Sequence, residues 1–227
     1  MTRRFPGVSV CVAILFLSVP SGCTTRDTLE IPEGLTGLFA YGTLISQTTL
    51  ERTLEHPYER SSYEVHLIGY EREWKCDPHW RSGDPPVYAH ILRGTDSVPV
   101  LGQAKFDRSP KEDGRINGIL YLLTGEELDS LDRWERDYQR VEVTEEIEEF
   151  RFRGAKVYAY VLLREPTPSS AEEEEGICIL QKAILDRITS ACDSRGLAFR
   201  EECDRTTRPS EYEIVPWEEI VFENWPW

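Results

Sequence analysis

Short apolar or alternating runs recur along this chain at 63–67, 87–92, 98–106, 116–123, 141–147 and 156–163, several of them bounded by glycine or proline. Such runs predict strands with at least one face in a core, and Gly154 predicts the turn between the last two. A further apolar run, Leu38-Phe39-Ala40-Tyr41, stops at Gly42 and predicts a strand that ends in a glycine turn. Helical spacing occurs in three places. Ser46 is placed to cap a helix with Leu50 and Leu54 on one face and Thr49 at its third position. Thr124 and Glu127 have the spacing of a capping box. Ile177, Leu180, Ile184, Ile188 and Ala191 recur at three- and four-residue steps, predicting a helix that begins near Ser170 and stops at Gly196. Few helices against this many strands indicate an α+β fold, a mixed and mainly antiparallel sheet or a small β-barrel with few packed helices. A chain of 227 residues is long enough for one buried core and short for two. The tail, 217–227, carries three Trp and is expected to pack back onto the domain.

Two segments carry candidate chemistry. A strand that ends in a glycine turn can aim successive backbone N–H groups at one point, here those of Gly42, Thr43 and Leu44, which suits an anion or a carbonyl oxygen. A purely structural turn is the plain alternative. In the second segment, Leu128, Leu131, Glu135 and Tyr138 fall within about 80° of one another at helical spacing, so one carboxylate shares an apolar face with two leucines and a tyrosine. An inward carboxyl group either finds a partner or has its pKa raised toward the range where it trades protons at neutral pH. The plain alternative is an edge Glu that reaches solvent or pairs with a nearby Arg.

Together, Tyr41-Gly42-Thr43-Leu44 and Leu131-Asp132-Arg133-Trp134-Glu135, with Gly118-Ile119-Leu120-Tyr121 between them and Tyr138-Gln139-Arg140-Val141-Glu142-Val143 behind, resemble the gamma-glutamylcyclotransferase-like family over about 37–163. The chain departs from many members in having Arg136 rather than Gly directly after the Glu. The resemblance implies a small closed barrel with helices around it and Glu135 as the catalytic acid. The expected reaction is intramolecular: the α-amine of a γ-glutamyl compound attacks its own γ-carbonyl and releases 5-oxoproline. In that scheme Glu135 moves the protons, while Tyr41, Gly42, Thr43, Leu44 and Tyr138 bind the substrate, the two tyrosines through their hydroxyls. The expected partner is a small γ-glutamyl amino acid or γ-glutamylamine, with no metal or organic cofactor. A barrel that binds a small ligand without turning it over, and an amide hydrolase on the same scaffold, would use the same turn.

Composition bears on partners and compartment. Arg3 and Arg4, an apolar stretch at 8–17 and Ser21-Gly22-Cys23 have the order of a signal leader, 1–22, with Cys23 as a lipid acceptor. Export or membrane anchoring is therefore expected; a cytoplasmic enzyme with a misassigned start is the other reading. Residues 23–36 are expected to be a linker and 37–227 the catalytic domain. Loss of the leader takes the formal charge from -15 to -17, a body that repels nucleic acid and anionic lipid. Cys76, Cys178, Cys192 and Cys203 could form two disulfides, although Cys178 and Cys192 also suit a helix core. Cys76-Asp77-Pro78-His79 lacks the second ligand pair of a metal site, and the four His are scattered with no nucleophile elbow.

Overall fold

The computed structural model describes residues 26–77, 88–163 and 176–223. The expected leader and lipid-acceptor Cys23 lie outside the described residues. Strands β1 (Asp27–Glu30), β2 (Leu35–Ala40), β3 (Ser62–Asp77), β4 (Tyr88–Arg93) and β5 (Asp96–Thr124) occupy the first half of the chain. Strands β6 (Tyr138–Glu142), β7 (Phe150–Arg153), β8 (Val157–Leu162), β9 (Ile177–Gln181), β10 (Glu213–Val215) and β11 (Ile220–Glu223) occupy the second. The α-helices among the described residues are α1 (Gln47–Leu54), α2 (Gly125–Trp134), α3 (Lys182–Asp193) and α4 (Leu197–Arg205).

The spine is β5. β3 runs antiparallel to it from Ser62 opposite Tyr121 to Asp77 opposite Gln103, with a register shift between Ile68 and Tyr70. The runs 98–106 and 116–123, expected as separate strands, are thus one strand, because pairing with β3 resumes beyond the shift. β2 pairs antiparallel with the C-terminal part of β5, β8 lies parallel to β2, and β6 lies antiparallel to β8. β9 joins the other end of β5 in parallel, followed by β10, while β4 pairs with both β5 and β11. The result is one nine-stranded, mostly antiparallel sheet running β10-β9-β5-β2-β8-β6, with β3, β4 and β11 branching from that path, and a separate β1–β7 pair. It is the expected α+β fold, and the recorded pairings form a branched path rather than a ring.

The sheet is buried on both faces where β2 meets β5. Phe39, Leu120 and Leu122 join one core cluster with Val65, Leu67 and Val157, whereas Leu38, Ala40, Ile119, Tyr121 and Leu123 join a second with Leu50, Leu128 and Leu131. Strand alternation sorts one unbroken apolar run into two cores, which is why Leu38-Phe39-Ala40-Tyr41 carries no polar position. Truncating a fully buried leucine such as Leu131 to Ala typically costs about 2–5 kcal/mol. Ser46 caps α1, accepting from the Thr49 N–H at 3.4 Å, and the Thr124–Glu127 capping box opens α2, both as the spacing predicts.

Four expectations are corrected. Ile177 and Leu180, expected in a helix from near Ser170, lie in strand β9, and the helix that carries Ile184, Ile188 and Ala191 begins at Lys182; the expected start near Ser170 lies outside the described residues. β-Branched Ile177 and Ile179 favour a pleated, doubly buried position, and the apolar faces of strand and helix happen to continue in phase. Gly196 does not merely stop α3; it is the N-cap of α4, a helix without an apolar period strong enough to read. α2 ends at Trp134, so Glu135 is its C-cap and Tyr138 opens β6 rather than extending the helix. The segment 23–36 is not all linker, because β1 pairs with β7 and Ile31 is buried. Gly154 has φ +94° and would place a Cβ 2.4 Å from the Ile31 carbonyl oxygen, so this contact needs glycine.

The four described cysteines are paired as Cys76–Cys178 and Cys192–Cys203. Cys76 is therefore not a metal ligand, and Cys192 ties α3 to α4. The described part of the tail pairs back onto the domain through β11 on β4, but Trp217 stays 45% exposed, its ring 5.0 Å from that of Phe222 in the same tail, and Trp225 and Trp227 lie outside the described residues.

Candidate active site

All six residues expected at the site line one cleft of ≈ 320 Å³: Tyr41, Gly42, Thr43 and Leu44 from the end of β2, and Glu135 and Tyr138 from the junction of α2 with β6. β2 and β6 reach it on either side of β8, so the fold joins two segments that lie about a hundred positions apart. Beyond Gly42 the chain makes a 3₁₀ turn, Thr43–Ile45, in which the Ile45 N–H donates to the Gly42 carbonyl at 3.0 Å. The first N–H groups of such a turn have no intrahelical acceptor and are free to bind a ligand.

Gly42 is not in a left-handed conformation. Its φ is -123° and an added Cβ would meet only Phe106, at 3.6 Å, so a methyl group is tolerated and larger side chains enter the cleft.

The turn is held from behind by Arg72, which is 1% exposed. Its Nε donates to the Tyr41 carbonyl at 3.0 Å, and its Nη atoms donate to Thr206 Oγ1 at 2.6 Å and Asn117 Oδ1 at 2.9 Å. In a trans peptide the C=O and the next N–H point in opposite directions, so fixing the Tyr41 carbonyl on Arg72 turns the Gly42 N–H the other way. Burial lowers the Arg72 pKa to about 9, which leaves the guanidinium charged at neutral pH.

The Tyr41 hydroxyl lies 2.6 Å from the Tyr160 carbonyl and 3.2 Å from Asp107 Oδ1, so its proton is engaged inside the protein rather than free for a substrate. The Tyr138 hydroxyl donates to the Phe106 carbonyl at 3.0 Å and keeps its lone pairs to accept a further proton donor. Burial pushes both phenols well above their usual pKa, Asp107 adding to it at Tyr41 and Glu135 at Tyr138, so both stay protonated.

Glu135 is half-buried, and among the described residues its carboxylate has no hydrogen-bond or ion-pair partner. Its N–H donates to the Leu131 carbonyl at 2.8 Å and holds the residue on the end of α2. Burial pushes its carboxyl up to about 7, Lys105 opposing the shift and Asp137 reinforcing it. Lys105 is itself engaged, bonded to Asp137 and 3.6 Å from Asp77. A carboxyl pushed up to about 7 is close to half-ionised at neutral pH. Of the two plain alternatives, an ion pair with a neighbouring Arg is not formed among the described residues, while contact with solvent stays open to this half-buried side chain.

Sequence reasoning missed Lys105, Asp137, Trp134 and Arg187, which also line the cleft. Lys105 and Asp137 lie 32 positions apart, and only the folded sheet pairs them. Lys105 carried one weak signal, a charge flanked by apolar Ala104 and Phe106. Among the described residues His66, Glu148 and Glu149 come close enough to share an ion, but Glu148 is bound by Arg115 and His66 by Glu149 and Glu202.

No curated protein matches the chain. Among solved structures it is similar to one described as "Gamma-glutamyl cyclotransferase" (13% identity, TM-score 0.49, 82% of this chain and 95% of the other). An uncharacterized protein from Homo sapiens is 14% identical (TM-score 0.48, covering 82% and 96%). A yeast gamma-glutamyl cyclotransferase described as specific to glutathione is 12% identical (TM-score 0.41, covering 79% and 100%). At these identities and TM-scores none of the three bears on function. The model of the family described as gamma-glutamyl cyclotransferase, AIG2-like, matches residues 38–176, more than half of the chain, and takes in the glycine turn, all of α2, Glu135 and Tyr138. With that match over the cleft just described, the chain belongs to the gamma-glutamyl cyclotransferase, AIG2-like family and is an enzyme of the cyclotransferase type.

Proposed function

We propose that this enzyme releases 5-oxoproline from a γ-glutamyl amino acid or γ-glutamylamine by intramolecular acyl transfer, with Glu135 as its general acid and base. The observation that carries this reading is the Glu135 carboxyl: lining a cleft, unpaired among the described residues, and with its pKa pushed up to about 7. A group half-ionised near neutral pH can take a proton in one step and return it in the next.

The substrate supplies its own nucleophile. Its α-ammonium gives a proton to the Glu135 carboxylate, and the freed amine attacks the γ-carbonyl. As the new ring C–N bond forms, negative charge develops on the carbonyl oxygen. The N–H groups of Gly42, Thr43 and Leu44 are the donors available to it, the first of them aimed by the Arg72 bond to Tyr41. Glu135 then protonates the departing nitrogen, the original amide bond breaks, and 5-oxoproline leaves with the free amine. Tyr138, its proton committed to Phe106, accepts from the substrate ammonium and holds it beside Glu135.

Export is part of the proposal. Disulfides persist in oxidising compartments, and Cys76–Cys178 with Cys192–Cys203 support the compartment that the basic, apolar leader indicates. Lipid attachment at Cys23 belongs to the same reading.

The test is an end-point assay of purified protein against γ-glutamyl amino acids, γ-glutamylamines and glutathione. We expect 5-oxoproline and the free amine in equal amounts from at least one compound. Glutamate in place of 5-oxoproline would make the enzyme a hydrolase, and no product from any compound would leave a binding protein.

A further inference from the structure

Resting on that reading, we propose that Arg187 and Trp134 form the leaving-group subsite, and that the preferred substrate is a γ-glutamyl α-amino acid with an apolar side chain and a free carboxylate.

The cleft has two cationic side chains, Lys105 and Arg187, among its described lining residues. Lys105 is taken up by Asp137 and Asp77. Arg187 is not: among the described residues its guanidinium bonds through Nε to the carbonyl of Ala183, a turn back in its own helix, at 3.1 Å. No carboxylate among the described residues pairs with it, although the chain carries a formal charge of -15. An exposed guanidinium with its Nη atoms uncommitted offers a two-pronged donor that matches a carboxylate.

Its position is fixed by the helix. Ile184, Arg187 and Ile188 all line the cleft from α3, at the spacing of a single helix face. Just beyond α3, Arg195 donates to the Ile45 carbonyl at 2.9 and 3.2 Å and ties the helix end to the turn expected to hold the glutamyl head. Arg187 is thus held at a set distance from that turn.

Trp134 supplies the apolar half. It is 67% exposed, a large indole left in water at the end of α2, and it lines the cleft one residue before Glu135. The nitrogen protonated by Glu135 is the α-nitrogen of the departing amino acid. In such a leaving group the side chain and the carboxylate sit on the carbon next to that nitrogen. An indole beside Glu135 and an unpaired guanidinium on the same cleft suit those two substituents. A γ-glutamylamine has no carboxylate for Arg187, and in glutathione the corresponding carboxyl is locked in an amide.

The test compares γ-glutamyl-L-phenylalanine with γ-glutamylphenethylamine, which differ only in that carboxylate, by kcat/KM for 5-oxoproline release. We expect the wild-type enzyme to favour the phenylalanine compound by about 10- to 100-fold, the worth of a charge-assisted hydrogen-bond pair. In Arg187→Gln the ratio should collapse toward one through a raised KM, and Arg187→Lys should retain part of it. Trp134→Ala should narrow the preference for γ-glutamyl-L-phenylalanine over γ-glutamylglycine. Thermal melting of each variant separates these effects from misfolding. A wild-type preference for the amine, or an unchanged ratio in a folded Arg187→Gln enzyme, overturns the subsite while leaving the cyclotransferase reading intact. No 5-oxoproline from any of these compounds or the wider panel overturns both.

Discussion

Helix α2 carries a buried or half-buried carboxylate at each end, and the two have opposite fates. Glu127, in the first turn, closes the capping box on Thr124, is bonded through both oxygens by Arg60, and lies 3.3 Å from His56 Nε2. Burial pushes its pKa up, but Arg60 and the Thr124 N–H outweigh it and hold the carboxyl below its usual range. Glu135, at the C-cap, has no hydrogen-bond donor among the described residues to offset burial, and it rises to about 7 although Lys105 opposes the shift. The helix dipole favours an anion at the first position and opposes one at the second. The same side chain is a structural fastener at one end and, in the proposed mechanism, a proton carrier at the other. What separates them is whether donors surround the carboxylate, not how deeply it lies.

The largest expected break in this contrast is Glu135→Gln, which keeps the shape and removes the titrating proton. Turnover should fall by about 10² to 10⁴ with substrate binding largely kept. Stability should move the other way. A carboxyl whose folded pKa exceeds its unfolded value stabilises the fold below pH 4.5 and loses that contribution as pH rises through about 7. The variant has nothing to lose, so at pH 8 it should melt a few degrees above wild type. An active, normally folded Glu135→Gln enzyme sinks the proposed mechanism.

Glu127→Gln should do the reverse. It leaves Arg60 without its counter-ion at a half-buried site, which costs about 2 kcal/mol and several degrees of melting temperature. The kcat of the folded fraction should stay near wild type. A rate loss as deep as that of Glu135→Gln, without unfolding, would erase the distinction between the two ends.

The finest test lies in the pH profile. The rising limb of kcat/KM against pH should fall near 7, where the free enzyme's Glu135 ionises. Lys105 lowers this pKa and Asp137 raises it. Lys105→Gln should therefore move the limb to higher pH and Asp137→Asn to lower pH. Shifts in the same direction would assign the limb to another group.

Much of this contrast was legible before folding. Thr124 and Glu127 announce a cap by spacing alone, and the strand that halts at Gly42 is visible as an apolar run with a break. Glu135 and Tyr138 line one cleft, but not on the shared helix face that their spacing predicts, since the helix ends at Trp134 and Tyr138 opens a strand. What stayed hidden is what only pairing creates. Arg72 sits in a long strand with nothing nearby in sequence to mark it as fully buried, and Lys105 meets Asp137 only because β5 and the α2–β6 junction line the same cleft. The β9–α3 boundary failed for another reason: a buried strand and the helix after it can share one apolar rhythm by coincidence of phase.

The Cys76–Cys178 bond spans 102 positions and makes a covalent ring of β4, the whole of β5, α2 and β6 through β8. A ring of that size removes about 4–5 kcal/mol of chain entropy from the unfolded state in the loop-closure picture. It also changes what cleavage means for this molecule. A protease that cuts once between Cys76 and Glu135 opens the ring without releasing a fragment, and both halves of the candidate active site remain on one covalent body until a reductant arrives.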